Sequence, residues 1–354
     1  MRRREGKGLW RVAVIGSIAT LMAVIAACDD GTTPPPPPPP KYMVETVEVQ
    51  GGSFMYGRNG ATAGANDKQE TVGTFKMGKY PVTQGQWKAV MGNDKNPSSF
   101  NGENKYDSWD SDNQVYIYVA ATPKFNRDNL PVETVSWYDV LVYANKLSVK
   151  EGLQPVYKIK GETDPALWGT VPTSANDADW DAVVAVAGAN GWRLPTEQEW
   201  EYAAKGGKKT GKKAYTGTET DEYYEYSGSD TVGEVAWYDD NSERRTHEVG
   251  KKKANELGLY DMSGNVREWC FDKPNPASAA RVFRGGSWNN SAAYVRSANR
   301  ILSSPQRTEL QHWVPVGALL VHGSAPKGIE QDSTASAVVG LIVCPSVSST
   351  SVRV

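Results

Sequence analysis

Apolar residues fall at helical spacing in three stretches of the chain. They occupy Trp87, Val90 and Met91 after Thr83, Trp137, Val140, Leu141, Ala144 and Leu147 after Ser136, and Trp200, Ala203 and Ala204 after Thr196. Residues three and four apart share one face of a helix, so each run predicts an amphipathic helix with that face on a core. A hydroxyl residue precedes each run. Ser136-Trp-Tyr-Asp139 and Thr196-Glu-Gln-Glu199 also read as reciprocal caps, in which side chains satisfy the first free backbone amides. Gly92, Gly152 and Gly206-Gly207 predict where the helices stop.

Elsewhere, short β-branched and aromatic runs alternate with Gly, Asn and Asp turns, which is the signal for strands. Val44 to Met55, kinked at Gly51-Gly52, predicts the first strand, and Asp67 to Met77 a loop entering the second. Pro155-Val-Tyr157, Val235 to Tyr238, Val266 to Trp269 and Arg281-Val-Phe-Arg284 predict others. Residues 93–129 show no periodicity, and a polar stretch of that length predicts a functional or inserted loop. A second, shorter insert follows Tyr157. Together these elements indicate an α+β domain, with helices flanking an antiparallel sheet and long irregular loops.

The longest apolar run, Val12 to Ala27, follows Arg2, Arg3, Arg4 and Lys7 and ends on Ile25-Ala26-Ala27 before Cys28. It is too short for a spanning helix and predicts an export signal. Small residues directly before a cysteine resemble a lipoprotein cleavage box, which implies loss of residues 1–27 and acylation of Cys28. Cleavage nearby with Cys28 left free is the alternative reading. Pro34 to Pro40 cannot donate backbone hydrogen bonds and favours a polyproline II form. At about 3.1 Å per residue it would stand a domain roughly 20 Å off a membrane. Residues 28–41 therefore read as a lipidated cysteine and tether, with a proline ligand for a recognition module as the rival.

Composition then removes function classes. A net charge of −2, with Lys205 to Lys213 and Lys251 to Lys253 set among glycines as solvated loops, argues against nucleic acid. Three cysteines do not make a disulfide scaffold, and Cys270 with Cys344 reads either as one disulfide or as two buried thiols. His247, His312 and His322 lack ligand spacing and read as exposed loop residues. The carboxylates and tyrosines from Asp221 to Tyr226 fit either a charged cleft or a solvated loop. No nucleophile elbow, phosphate loop or dinucleotide fingerprint stands where it would count.

Five segments recur in a known order: Lys79-Tyr-Pro-Val-Thr-Gln-Gly-Gln-Trp87, Leu130-Pro-Val-Glu-Thr-Val-Ser-Trp137, Gly191-Trp-Arg-Leu-Pro-Thr-Glu-Gln-Glu-Trp-Glu-Tyr-Ala-Ala204, Gly258-Leu-Tyr-Asp-Met-Ser-Gly-Asn-Val-Arg-Glu-Trp269 and Arg281-Val-Phe-Arg-Gly-Gly-Ser-Trp288. Over roughly residues 45–307 this order resembles the formylglycine-generating-enzyme, or sulfatase-modifying factor, domain family. The resemblance implies a C-type-lectin-like fold whose two ends meet in the sheet. Residues 42–313 would form that domain and 314–354 an atypical tail. In the namesake enzymes, two cysteines after the Gly-Gly-Ser-aromatic motif hold copper. Between Trp288 and Trp313 this chain has none, so neither copper nor catalysis carries over.

The same resemblance implies structural calcium at Asn265, Val266 and Glu268, and a weaker site at Asn255, Leu257 and Asp261. The alternative is that Asn265 caps a turn and Glu268 pairs with an arginine. Within the family, the segment from Arg284 resembles the variable region of lipoproteins diversified by retroelements. By that likeness Arg284 to Trp288, Arg296, Ala298, Arg300 and Pro305 are frame, and Asn290, Ser291, Ala293, Tyr294, Ile301, Leu302, Ser303, Ser304 and Gln306 are displayed. The implied protein is lipid-anchored in a bacterial envelope, non-catalytic, and binds an extracellular protein or glycan. An oxidase of the same fold and a purely structural envelope lipoprotein are the rivals. Residues 314–354 contain no aromatic and lack the family's closing Gly-Phe-Arg strand. They read as a frameshifted tail, or as a long insert before a diverged strand at Gly340 to Cys344.

Overall fold

Each of the three capped sequences begins a helix where its hydroxyl residue stands. Thr83, Ser136 and Thr196 accept the backbone amides of Gln86, Asp139 and Glu199, and those side chains reach back to the cap amides. The computed structural model describes residues 42–58, 67–101, 108–110, 115–117, 126–174, 177–209, 222–306, 316–317 and 320–322. The signal run, Cys28, the proline tract, Asp221, His312, Trp313 and the segment from Gly340 to Cys344 lie outside these residues.

In chain order the strands are β1 (Thr46–Val49), β2 (Gly52–Tyr56), β3 (Lys68–Val72), β4 (Phe75–Gly78), β5 (Ser108–Asp110), β6 (Val115–Ile117), β7 (Tyr157–Lys158) and β8 (Val184–Ala185). They continue as β9 (Trp192–Arg193), β10 (Arg267–Trp269), β11 (Arg281–Arg284), β12 (Ile301–Ser303), β13 (Val316–Gly317) and β14 (Val321–His322). The helices are α1 (Gln84–Met91), α2 (Trp137–Lys150), α3 (Ala178–Asp181), α4 (Glu197–Ala204) and α5 (Val232–Val235). Among the described residues one sheet has the order β1-β4-β14-β9 and a second β12-β11-β10-β13, and β2-β3, β5-β6 and β7-β8 form three two-stranded antiparallel ladders. Pairing is antiparallel except between β10 and β13, a parallel pair that the strand signals did not reveal. Helices packed on antiparallel sheets bear out the α+β class.

Three expectations change. The predicted first strand is two strands, because a Cβ on Gly51 would sit 2.7 Å from the Val72 carbonyl oxygen and the Thr74 nitrogen. The chain turns hard there, sending β1 to β4 and β2 to β3. Val235 to Tyr238 is not a strand: Val235 and Ala236 bury with Tyr226 and Val295 in a small separate cluster. Trp237 makes a lone parallel bridge to Gly264, whose absent side chain permits the approach. The domain also does not end at 313. Val321 pairs with Met77 on one side and Arg193 on the other, so the start of the aromatic-free tail closes the sheet. β1 and β14 thus flank β4, and the two ends of the domain meet there.

Aromatic packing fills the large core around α2. Trp87 stacks on Tyr143 at 4.7 Å, Trp269 meets Phe283 tilted by 37° at 3.8 Å, and the Arg281 guanidinium lies 3.7 Å from the Trp137 ring centre. The core of α4 is different, because it contains charge. Glu201, with no exposure, accepts from Lys205 Nζ at 2.6 Å and from the Gly57 amide at 2.7 Å, and pairs with Arg284. Lys205 is therefore not part of a solvated basic loop: it is buried and also donates to the Met55 carbonyl. Burial pulls the Lys205 ammonium below its ordinary value. Burial works against the Arg284 charge as well, but Glu201 and Glu197 outweigh it and hold its pKa above the usual value.

Arg284→Met is expected to lower unfolding free energy by about 3–5 kcal/mol, since Glu201 loses its strongest partner and three backbone carbonyls lose their donor. Urea unfolding of the variant beside wild type measures this. A loss under about 1 kcal/mol would mean that the network contributes little.

Candidate functional site

The site is built on the turn that follows β11. Gly285 and Gly286 take φ of 84° and 67°, left-handed values that a side chain resists. A Cβ on Gly286 would lie 2.7 Å from the Tyr294 carbonyl oxygen, and one on Gly285 3.2 Å from the Trp200 ring. These two residues let the segment fold back over α4. From there Trp288 donates its amide to the Asn265 carbonyl, Ser242 donates its hydroxyl to the Trp288 carbonyl, and the Asp239 amide donates to the Asn290 carbonyl. Residues 291–296 pass through a short 3-10 turn, Ala292–Val295, whose Val295 is buried. The chain returns as β12 on β11, and the Pro305 carbonyl accepts the first amide of α2 at 2.9 Å.

The arginines of the expected frame are held to different depths, Arg284 fully buried, Arg300 half-exposed on a buried carboxylate and Arg296 in a partly exposed pair. Arg284 reaches the carbonyls of Ser297, Ala298 and Asn299 while paired to Glu201. Arg300 Nε donates to Glu197 at 2.6 Å, and Arg296 lies 3.4 Å from Glu225. Between these anchors Ser291 and Ala293 are exposed, Tyr294 is 52 % exposed and Leu302 48 %. Tyr294 and Leu302 are large apolar side chains facing water beside a rigid base, a surface of the kind that meets partners.

Other members of the expected display stand differently. Asn290 belongs with the frame: its Oδ1 accepts the Ser287 amide at 3.0 Å and two Arg267 nitrogens at 3.0 and 3.1 Å. Ile301 packs against the α2 core. Ser303, Ser304 and Gln306 are half-buried, Ser304 donating to Gln306 at 2.7 Å. The period-two geometry of β12 explains Ile301, since alternate residues of a strand face opposite sides. Sequence spacing did not reveal that neighbours from other segments join this surface. Phe100, from the stretch expected to be a functional loop, meets Trp288 edge to face at 5.6 Å. Exposed Asp239 and Asp240 adjoin Tyr238, which packs beside Ala292.

The residues expected to hold calcium do not assemble as such a site. Asn255 Oδ1 accepts the amides of Leu257 and Leu259. Asn265 Oδ1 accepts the His247 amide, and Asp261 accepts the Gly250 amide. The Asn265 carbonyl is taken by Trp288, and Glu268 receives the Trp200 indole N–H. Only Glu268 Oε1 is a buried side-chain oxygen of this set without a partner, whereas a hard cation wants six or more oxygens. Among the described residues no three His, Cys, Asp or Glu side chains converge on a metal position. Burial pushes Glu268 up to about 8 and Asp261 to about 6.

Other chemistry-bearing residues are structural. His247 is not an exposed loop residue: it is buried, stacks on Trp237 at 3.8 Å and is lowered to about 4 by burial. His322 sits in β14 against Trp192. Tyr223 and Tyr226 are buried and Glu225 pairs with Arg296, so no charged cleft forms from the described residues 222–226. Cys270 is a buried free thiol that burial raises well above its ordinary value, while Cys344 lies outside the described residues. A buried thiol of that kind is an inert one.

Comparison with known proteins places this arrangement. The model of the sulfatase-modifying factor enzyme 1-like domain matches residues 33–311. The chain is 38 % identical over 271 residues to the chaperone protein LppX of Paenibacillus barcinonensis, covering 70 % of this chain and 79 % of that one. It is 27 % identical over 261 residues to the inactive C-alpha-formylglycine-generating enzyme 2 of Bos taurus, covering 70 % and 78 %. Among solved structures, Treponema denticola variable protein 1 superposes with a TM-score of 0.59 at 32 % identity, covering 78 % of this chain and 94 % of that one.

Substitution of Ser291, Ala293 or Tyr294 is expected to leave stability within about 0.5 kcal/mol of wild type. Asn290→Ala is expected to cost about 1–2 kcal/mol, because Ser287 and Arg267 lose their acceptor. Denaturant midpoints for the four variants read the difference directly, and equal losses at Asn290 and Tyr294 would contradict this division of labour.

Proposed function

We propose that this chain, which belongs to the sulfatase-modifying factor enzyme 1-like domain family, is a non-catalytic binding protein anchored in a bacterial envelope through Cys28. Residues 288–306 present its ligand surface. The observation that carries the proposal is the split within that one segment: Arg284 and Asn290 are tied inward and Arg300 reaches the buried Glu197, while Ser291, Ala293, Tyr294 and Leu302 face outward. A surface whose shape does not rest on its own outward side chains can change them without cost to the fold. The similarity to a variable protein and to an enzyme homologue named as inactive supports the same reading. So does the absence of cysteine between Trp288 and Trp313, which leaves no thiolate pair where copper would bind. The ligand is an extracellular protein or glycan.

A second reading rests on the relative named as a chaperone: the exposed Tyr294 and Leu302 would then hold non-native polypeptide. The two readings part in the test tube. Purified full-length protein is screened on arrays of surface proteins and glycans, and Tyr294→Ala with Leu302→Ser is expected to weaken a specific hit at least tenfold, about 1.4 kcal/mol, without lowering the melting temperature. Suppression of aggregation of many unrelated denatured proteins, with no specific hit, would favour the chaperone reading. Copper-dependent oxidation of a cysteine peptide would overturn both. For the anchor, Cys28→Ser is expected to move the protein from the membrane fraction to the soluble one, and retention in the membrane would sink the lipidation claim.

A further inference from the structure

β12 stands at the end of its sheet, paired with β11 alone. In an antiparallel pair each residue turns its amide and its carbonyl to one side, and alternate residues turn to opposite sides. Val282 of β11 spends both on the β10 side: its amide donates to the Asp272 carbonyl at 3.2 Å and its carbonyl accepts the Cys270 amide at 2.9 Å. Leu302 lies opposite Val282, so its own amide and carbonyl point away from β11, to the open edge. Among the described residues no backbone group bonds to them there. The Leu302 side chain beside them is exposed. Sheet edges are ordinarily guarded by charge or proline, and here Arg300 and Pro305 stand either side of Leu302 and leave it open.

Arg300 gives that edge a sign. It lies two residues before Leu302, on the α4 side of the strand, where its Nε donates to Glu197 at 2.6 Å. Its two terminal nitrogens have no hydrogen-bond partner among the described residues. Two carboxylates of α4, Glu197 and Glu201, face three cations, Arg284, Lys205 and Arg300, and of the three only Arg300 reaches water, at 36 % exposure. The charge that this network leaves over is positive, and it is presented beside the open edge.

We propose that the open edge of β12 binds an extended acidic segment of a protein ligand, which adds to the sheet as a further strand. This rests on the reading of residues 288–306 as the binding surface, and within it names the ligand class as polypeptide. The Leu302 amide donates to a carbonyl of the incoming chain and the Leu302 carbonyl accepts one of its amides, a pairing that only another extended backbone presents in register. A carboxylate of the segment accepts from the terminal nitrogens of Arg300, a charge-assisted contact. A glycan offers no amide and carbonyl at strand spacing. Main-chain pairing also suits a display whose side chains are free of the fold, because it holds a ligand whichever side chains the surface carries and leaves them to choose among segments.

The test uses the full-length protein in detergent, isotope-labelled at its leucine amides, with the Leu302 resonance assigned through Leu302→Ala. The probe is a blocked peptide alternating glutamate and valine, compared with its lysine analogue and with a fully N-methylated form that keeps the side chains and loses the main-chain donors. In the protein alone the Leu302 amide is expected to exchange freely with solvent. The glutamate peptide is expected to shift and protect that amide, the lysine peptide to bind at least about tenfold more weakly by fluorescence anisotropy, and the N-methylated peptide not to bind. Leu302→Ala is expected to bind the glutamate peptide within about threefold of wild type, since its main chain is unchanged. Leu302→Pro, which removes the outward donor at an edge position, is expected to lose it. Buried Leu141 and Leu194 report whether each variant is folded, and the N-methylated peptide decides the matter if Leu302→Pro is not. A Leu302 amide already protected in the protein alone overturns the proposal, because the edge would then be held by another part of the chain or by a second copy. So does a glutamate peptide that fails to bind, or one that binds no better than its lysine or N-methylated form. A glycan hit on the arrays with the peptide unbound overturns it too and leaves the surface reading standing. The peptide arm needs no array hit, so a failed screen bears on the surface reading alone.

Discussion

The fold turns on a carboxylate that water does not reach. Glu201, one turn beyond Glu197 on α4, faces Arg284 of β11 and Lys205, and through Arg284 it fixes the carbonyls of residues 297–299. Burying such a group without partners would be prohibitive, and with them the net gain in stability is small. What the network supplies is position. The guanidinium's several donors have one arrangement that satisfies a carboxylate and three carbonyls together, so the returning segment has one place to lie.

That constraint explains how a surface can be displayed. The segment from Trp288 to Gln306 is anchored by Arg284, Arg296, Arg300 and the Pro305 carbonyl, and shaped by two left-handed glycines, so Ser291, Ala293, Tyr294 and Leu302 are not needed to hold it. Their size and polarity are therefore free of the demands of the fold.

Much of this was legible in the residues. Caps announce themselves within four positions, and Thr83, Ser136 and Thr196 began helices for that local reason. The arginines of the frame were legible as motif members, but their partners were not. Glu197 and Glu201 share a helix face, which is equally the mark of a solvated one. The single first strand failed at Gly51 because a kink and a strand break look alike until the Val72–Thr74 backbone is seen pressing on it. The tail was misread because its closing strand, Val321–His322, has no aromatic to mark it.

By itself, then, the sequence determined the class of fold, the three helices, the order of motifs and the absence of a thiolate pair, all matters of local spacing and residue type. Tertiary structure decided which polar groups were spent. Asn290, Asn265 and Asn255 have side chains that serve equally well in a display, a metal site or a turn, and only the backbone amides and arginines that arrive from distant parts of the chain settle which. A hydrogen bond between residues far apart in sequence leaves no periodicity to read, because neither partner's spacing refers to the other.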